Sequence, residues 1–252
     1  MLEIILLAFF AGLIMEFIDS FLGGGYGTIL TPLFLLIEFA LPEIIPMILL
    51  SEVLTGTIGG IFHHNFGNVD KKAVLLVGPF AILGTIFALF AYIKLDKFFI
   101  NFYIGLLVLV LGIFMLIRHW KNRNNKKISE KKHNKRLPFI GALIGFNKAI
   151  SGGGFGPILT SCLSWSGRDP KKSVGTTTLL EGLVCVFGFL GYWYLNGINS
   201  INWAIAIPLI IGALLATFPA AYATHKFPTK LLGILVAITV ISLGIGILIK
   251  IL

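Results

Sequence analysis

Five ionisable side chains interrupt stretches that are otherwise apolar: Glu16, Asp19, Glu52, Lys148 and Glu181. Two pairs of them share one spacing. Glu52 and Glu181 stand 129 positions apart (181 − 52 = 129), and so do Asp19 and Lys148 (148 − 19 = 129). A charge inside a membrane is costly unless it is paired or hydrated, so each of these groups is expected to face protein or a water-filled cavity. Low dielectric favours the neutral carboxyl, which suits Glu52 and Glu181 to proton pick-up and release; the alternative is a protonated carboxyl bonded to a neighbouring helix break. Lys148 reads as a counter-charge for an anion, with Asp19 as its partner in the empty state or as a proton carrier. The alternative for that pair is a structural ion pair between the two halves of the chain. Glu16 has Gly145 at its matching position and lies one turn from Asp19, so it shares the same surroundings.

The same offset joins two glycine runs. Gly23-Gly24-Gly25-Tyr26-Gly27-Thr28-Ile29-Leu30-Thr31 and Gly152-Gly153-Gly154-Phe155-Gly156-Pro157-Ile158-Leu159-Thr160 are identical at seven of nine positions, and one difference swaps two aromatics. Three consecutive glycines destabilise a helix by roughly 1 kcal/mol each relative to alanine, so the chain breaks there and restarts at Tyr26 and Phe155. A restarted helix points bare N–H groups and about half a positive charge at the break, which is the chemistry of an anion site. If the two breaks meet from opposite faces, they form a two-sided cradle from Gly23, Gly24, Gly25, Tyr26 and Gly27 on one side and Gly152, Gly153, Gly154, Phe155 and Gly156 on the other. The competing explanation is close helix packing through small residues.

Composition supplies the setting. The chain has 252 residues, 57% hydrophobic and 12% charged, and its mean hydropathy of +0.95 marks a polytopic membrane protein. The formal charge of +9 does not indicate nucleic acid, because the basic residues sit in short loops beside apolar spans and not on an aromatic-studded face. Cys162 and Cys185 lie in apolar sequence without CxxC spacing and read as small core residues. Met1 to Phe10 lacks a basic start and an AxA-like cleavage site, so it reads as part of the mature chain.

Apolar segments run at 2–22, 26–41, 44–65, 73–93 and 98–118, then at 137–151, 154–165, 173–195, 203–223 and 228–250. The fold class is therefore all-α, with about 8–10 membrane segments divided into a repeat at 1–120, a basic linker at 121–136 and a repeat at 137–252. The segments around the second glycine run are too short to span singly, which predicts a glycine-broken hairpin plus three transmembrane helices in each half. The linker holds eight basic residues against Glu130 alone, which places it in the cytoplasm. Counting outward from it, loop 66–72 and its uncharged counterpart 195–201 fall on opposite sides, so the two repeats are expected to be inverted.

A GGGxG break after an apolar helix, present twice around a basic central loop, resembles the sulfite exporter TauE/SafE family, also called the toluene sulfonate uptake permease family. The resemblance covers both halves. It implies movement of sulfite, sulfonates or related organic anions across the cytoplasmic membrane, and the glycine motifs at 23–27 and 152–156 are what it carries over to this chain.

Other residues fall in behind these. Asn147 and Ser151 flank Lys148 and offer hydrogen bonds to an oxyanion. Thr31 and Thr160 either cap the restarted helices or bond their own backbone. His63, His64 and His119 lie near span ends and read as interfacial, and no spacing supports a metal. Pro79 and Pro208 occupy matching places early in the fourth segment of each half, as kinks or helix starts. The chain has no GxxxxGK[ST] segment, so energy is expected from a proton or ion gradient, with no cofactor. The expected function is secondary transport of a small anion, with export the direction that the resemblance implies. An anion channel built from the same helix ends and, behind it, an intramembrane enzyme are the alternatives.

Overall fold

The computed structural model describes residues 2–120, 135–226 and 230–252. Most of the basic linker, 121–134, lies outside that set, and with it the expectation about the linker's side. Ten α-helices are present among the described residues: α1 Leu2–Leu22, α2 Tyr26–Leu36, α3 Leu41–Asn65, α4 Lys71–Lys94, α5 Lys97–Trp120, α6 Leu137–Ser151, α7 Phe155–Trp165, α8 Pro170–Asn196, α9 Trp203–Lys226 and α10 Lys230–Ile251. Seven of them contain 21 to 27 residues long and apolar enough to cross a membrane, whereas α2 and α7 have 11 residues and α6 has 15. The first arm of the first hairpin, α1, is thus longer than its counterpart α6. The protein is all-helical, with the segment number its sequence led us to expect.

Side-chain size sorts inside from outside. Along α4, Leu75, Leu83, Phe87 and Phe90 are exposed while Ala73, Val77, Ala81 and Ala88 are buried. Lipid solvates large apolar side chains as well as protein does, so what the interior selects is smallness, which lets backbones touch. A Cβ on Gly12 would fall on the Leu209 carbonyl, and one on Gly145 would fall on that of Ala81.

The halves interlock by exchanging partners. α1 packs along α9 and its counterpart α6 packs along α4, while α3 pairs with α8 and α5 with α10. Gly12 meets Leu209, and the Thr224 hydroxyl donates to the Ser20 carbonyl, so α1 and α9 run in the same direction. Gly141 on Val77 and Gly145 on Ala81 show the same for α6 and α4. Leu41, Ile93, Lys97 and Asn196 gather around one cavity, which puts the start of α3 and the ends of α4 and α8 at one end of the bundle. At the other end Arg168 Nε donates to Asp70 Oδ2 at 2.9 Å, beside the start of α4. α9 follows α8, so α4 and α9 begin at opposite ends, and the hairpins α1–α2 and α6–α7 enter the bundle from opposite ends too.

Their tips overlap. Gly23, Gly24 and Gly25 have φ of 78°, 144° and 152°, a run of conformations that only glycine adopts without strain. Gly24 lies on the backbone of Gly156 and Pro157, and Gly27 lies on the carbonyl of Gly152. The Thr160 hydroxyl donates to the Gly23 carbonyl at 2.6 Å, and the Gly154 amide donates to Thr28 Oγ1 at 3.0 Å.

Gly27→Ala is therefore expected to destabilise the protein by about 1–3 kcal/mol, as overpacking does in a rigid contact. Gly246→Ala, whose new methyl would sit 3.4 Å from Leu36 Cδ1, is expected to be neutral or stabilising. Unfolding of purified protein in detergent measures both, and equal stability of the two variants would refute the tip contact.

Candidate functional site

The ionisable residues converge beside the overlapping breaks. Lys148 is in the last turn of α6, one helical turn before Gly152, and is 1% exposed. Its ammonium donates to Glu181 Oε1 at 2.8 Å and is in direct contact with Glu52 Oε2. Those two acids are the repeat-matched pair, delivered by the central helices α3 and α8 as these pack on each other. α3 and α8 can approach because Gly56, one turn after Glu52, and Gly182, next to Glu181, lie backbone against backbone. Glu52 Oε1 has no protein partner.

Asp19 takes a different role from the one expected. It is not the direct partner of Lys148; its carboxylate accepts the Tyr26 amide at 2.8 Å, at the first residue of α2. A carboxylate at a helix N-terminus satisfies a bare donor and meets the positive end of the dipole. Asp19 remains inside the cluster, since one carboxylate oxygen from each of Asp19, Glu52 and Glu181 lies within 4.8 Å of the others. No spacing in the sequence indicated such a carboxylate group. A cation could sit among the three, and the ammonium of Lys148 already lies against two of them. Glu16 is 1% exposed, accepts from Ser20 Oγ at 2.7 Å through Oε1, and leaves Oε2 unpartnered.

The remaining candidates divide. Ser151 Oγ donates to the Asn147 carbonyl and accepts the Gly153 amide, which holds the second break in shape. Asn147 Oδ1 accepts from the Tyr103 hydroxyl of α5. Tyr26 and Phe155 are wholly buried in apolar clusters, with the Tyr26 hydroxyl against Ser51 Oγ at 2.6 Å. The breaks touch each other directly, so the open two-sided cradle is not formed in this conformation. Thr31 and Thr160 do not cap α2 and α7: Thr31 Oγ1 is without a protein partner, and Thr160 bonds the opposite break and Thr177.

One placement departs from the sequence reading, and two others refine it. His63 is not interfacial but 0% exposed, because the last turns of α3 pass between α1 and α8. His64, its neighbour, is exposed, and the side chain of His119 is outside the described set. Cys185 is a buried core residue that also puts its thiol 3.6 Å from Glu52 Oε2. Pro79 and Pro208 lie inside α4 and α9 and so do not start them. Thr28, Ser20 and Ser51, which hold the breaks and acids, were missed; a hydroxyl in an apolar helix carries no signal beyond its presence.

A cavity of about 440 Å³ opens at the end where α3 and α5 begin, lined by Phe39, Tyr92, Lys97, Asn101 and Asn196 among apolar neighbours. Neither the breaks nor the acids line it.

Comparison with known proteins places this arrangement. Residues 8–247 match the family described as sulfite exporter TauE/SafE. The chain is similar to the probable membrane transporter protein YtnM of Bacillus subtilis (strain 168), 34% identical over 232 residues, 90% of this chain and 77% of that one. It is also similar to the probable membrane transporter protein YdhB of the same organism, 24% identical over 234 residues, 91% of this chain and 92% of that one. No solved structure matches.

Removing the ammonium strands two acids in the interior. Lys148→Met is expected to lower stability by about 3–5 kcal/mol, the usual penalty for breaking a buried ion pair from one side. Adding Glu52→Gln and Glu181→Gln is expected to restore most of that loss. Unfolding in detergent reports both, and an undiminished loss in the triple variant would mean that Lys148 matters for packing and not for charge.

Proposed function

The chain belongs to the sulfite exporter TauE/SafE family, and from that premise we propose that it is a secondary transporter that carries a small anion across the cytoplasmic membrane in exchange for, or together with, protons. Sulfite, an organosulfonate or a related organic anion is the substrate class, and export is the direction the family description favours. The two halves act as inverted repeats, with the linker at 121–136 in the cytoplasm.

The observation that carries this reading is the charge balance of the cluster. Glu52 and Glu181 hold the ammonium of Lys148, Asp19 clusters with those two acids, and Glu16 is buried one turn before Asp19, so four acids share one base. Fully ionised, the group would carry a surplus of three negative charges in the protein interior. Such a surplus is tolerated only when neutralised. A proton on Glu52 or Glu181 frees part of the Lys148 charge for a guest, and an approaching anion in turn favours protonation of the acids. Anion and proton are thereby coupled through shared electrostatics.

The breaks supply the seat. Asp19 occupies the N-terminus of α2 as the protein's own carboxylate, and a substrate oxyanion takes its place when the tips of the hairpins separate. Gly23 to Gly27 and Gly152 to Gly156 provide amides for it, Lys148 the counter-charge, and Asn147 and Ser151 further donors once they leave their present partners.

In proteoliposomes with sulfite as the probe, an imposed pH gradient is expected to drive uphill sulfite movement. Glu52→Gln and Glu181→Gln are each expected to reduce that pH-driven flux at least tenfold in folded protein. Unchanged pH dependence in both variants would remove the acids from coupling. A panel of sulfite, sulfonates and carboxylates tested for thermal stabilisation identifies the substrate class, since a ligand at 100 times its Kd stabilises by roughly 2.7 kcal/mol. Absence of stabilisation across the panel would defeat the anion assignment.

A further inference from the structure

At one matched place in the repeat, toward opposite ends of the bundle, the two halves carry different chemistry. In the second half, the Tyr192 hydroxyl donates to the Ala149 carbonyl at 2.9 Å, and its ring stacks edge-on against Tyr92 with centroids 4.9 Å apart. Tyr92 lines the cavity, so this pair closes off the last turn of α6 from it. The corresponding residues in the first half are His63 and Ser20 (192 − 129 = 63; 149 − 129 = 20). There the Ser20 carbonyl accepts from the Thr224 hydroxyl at 2.8 Å and also faces the ring of the buried His63, neither of whose nitrogens completes a well-formed hydrogen bond.

His63 does not stand alone. Gly175 backs onto both its ring and the Asn68 carbonyl, and Gly59, one turn before it, faces Ser20 Oγ. Ser20 Oγ in turn donates to Glu16 Oε1. Asn68 Nδ2, the two nitrogens of His63 and Glu16 Oε2 are four buried polar atoms that complete no well-formed hydrogen bond within the protein. The residues that carry them step from the loop between α3 and α4, through His63 against Gly175, to Ser20 and Glu16. The matching positions in the other half are Gly197, Tyr192, Ala149 and Gly145, among which no side chain titrates near neutrality. Buried polar atoms that lack a protein partner are satisfied by water, and a file of them is a hydrated thread.

We infer that His63 is a proton relay linking the end of the bundle at loop 66–70 to Glu16, and that the opposite end has no such route. This rests on the proton-coupled reading above. The imidazole accepts a proton on one ring nitrogen from water at the loop and releases the proton of the other nitrogen toward the Ser20 hydroxyl. That hydroxyl passes its own hydrogen to the Glu16 carboxylate, which becomes the neutral acid, while histidine and serine return to neutral. Gly175 of α8 lies against the His63 ring, and Ser20 of α1 with Thr178 of α8 and Thr217 of α9 surrounds Gly59 one turn before it; the charged groups at the two ends of this stretch are Glu16, bonded to Ser20, and the Asp70–Arg168 pair beside the loop.

Exchange of the imidazole C2 hydrogen for deuterium, read by mass spectrometry on wild-type protein, tests the thread directly. His63 is expected to exchange within tenfold of the exposed His64, with a sigmoidal dependence on pH. Exchange more than a hundredfold slower, without that dependence, would overturn the relay. His63→Tyr, which copies Tyr192, is expected to cut proton entry at least tenfold in pyranine-loaded vesicles under a sulfite gradient, with sulfite binding by thermal shift unchanged. Undiminished proton entry in that variant would also overturn it. Sulfite movement by wild type without protons would sink the coupling reading alone, because His63 exchange still decides whether the thread exists.

Discussion

One ammonium shared between two carboxylates sets the terms for the rest of this molecule. Lys148 can be charged in the interior only because Glu52 and Glu181 reach it, and they reach it only because α3 and α8 meet at glycine. An ion pair out of water is not a net source of stability, since its desolvation offsets much of the attraction. Its value lies in the specificity of arrangement it imposes, two acids at matched positions of the chain converging on one base. The pair fixes the rotational setting of the central helices and holds the end of α6 beside the second break.

Much of this was legible before any coordinates. Offset 129 tied Glu52 to Glu181, and the hydropathy of the segments gave the helices and, from the shortness of 137–151 and 154–165, the broken hairpin. Both signals are local or periodic, which is why sequence carries them. What sequence lacked was the pairing in space. Asp19 and Lys148 match in the repeat, yet one caps α2 and the other binds acids from α3 and α8, because their own environments differ in charge. His63 lay near a span end by counting, but burial depends on what crosses it, and α8 does. The glycines were read as an anion cradle or as packing; in this conformation they pack, backbone on backbone.

Duplication followed by divergence explains the asymmetry. Tip contacts use residues from both halves in exchange, Thr160 to Gly23 and Gly154 to Thr28, so neither hairpin is shaped without the other. Around this common frame the first half gathered Glu16, Asp19, Ser20 and His63, while the second has Gly145, Lys148, Ala149 and Tyr192 at those places. Acid and hydroxyl on one side, base and aromatic on the other, make two chemically distinct approaches to one centre.

The carboxylate of Asp19 on the first amide of α2 has a kinetic corollary. A tethered anion competes for that seat at an effective concentration in the millimolar range or above, whatever the dilution outside. On the transport reading proposed above, a guest anion has to displace it, which holds apparent affinity down. Oxyanions with concentrated charge gain most in such a contest, and weakly charged ones are screened out without a single clash. A resident rival of this kind favours throughput over tight capture.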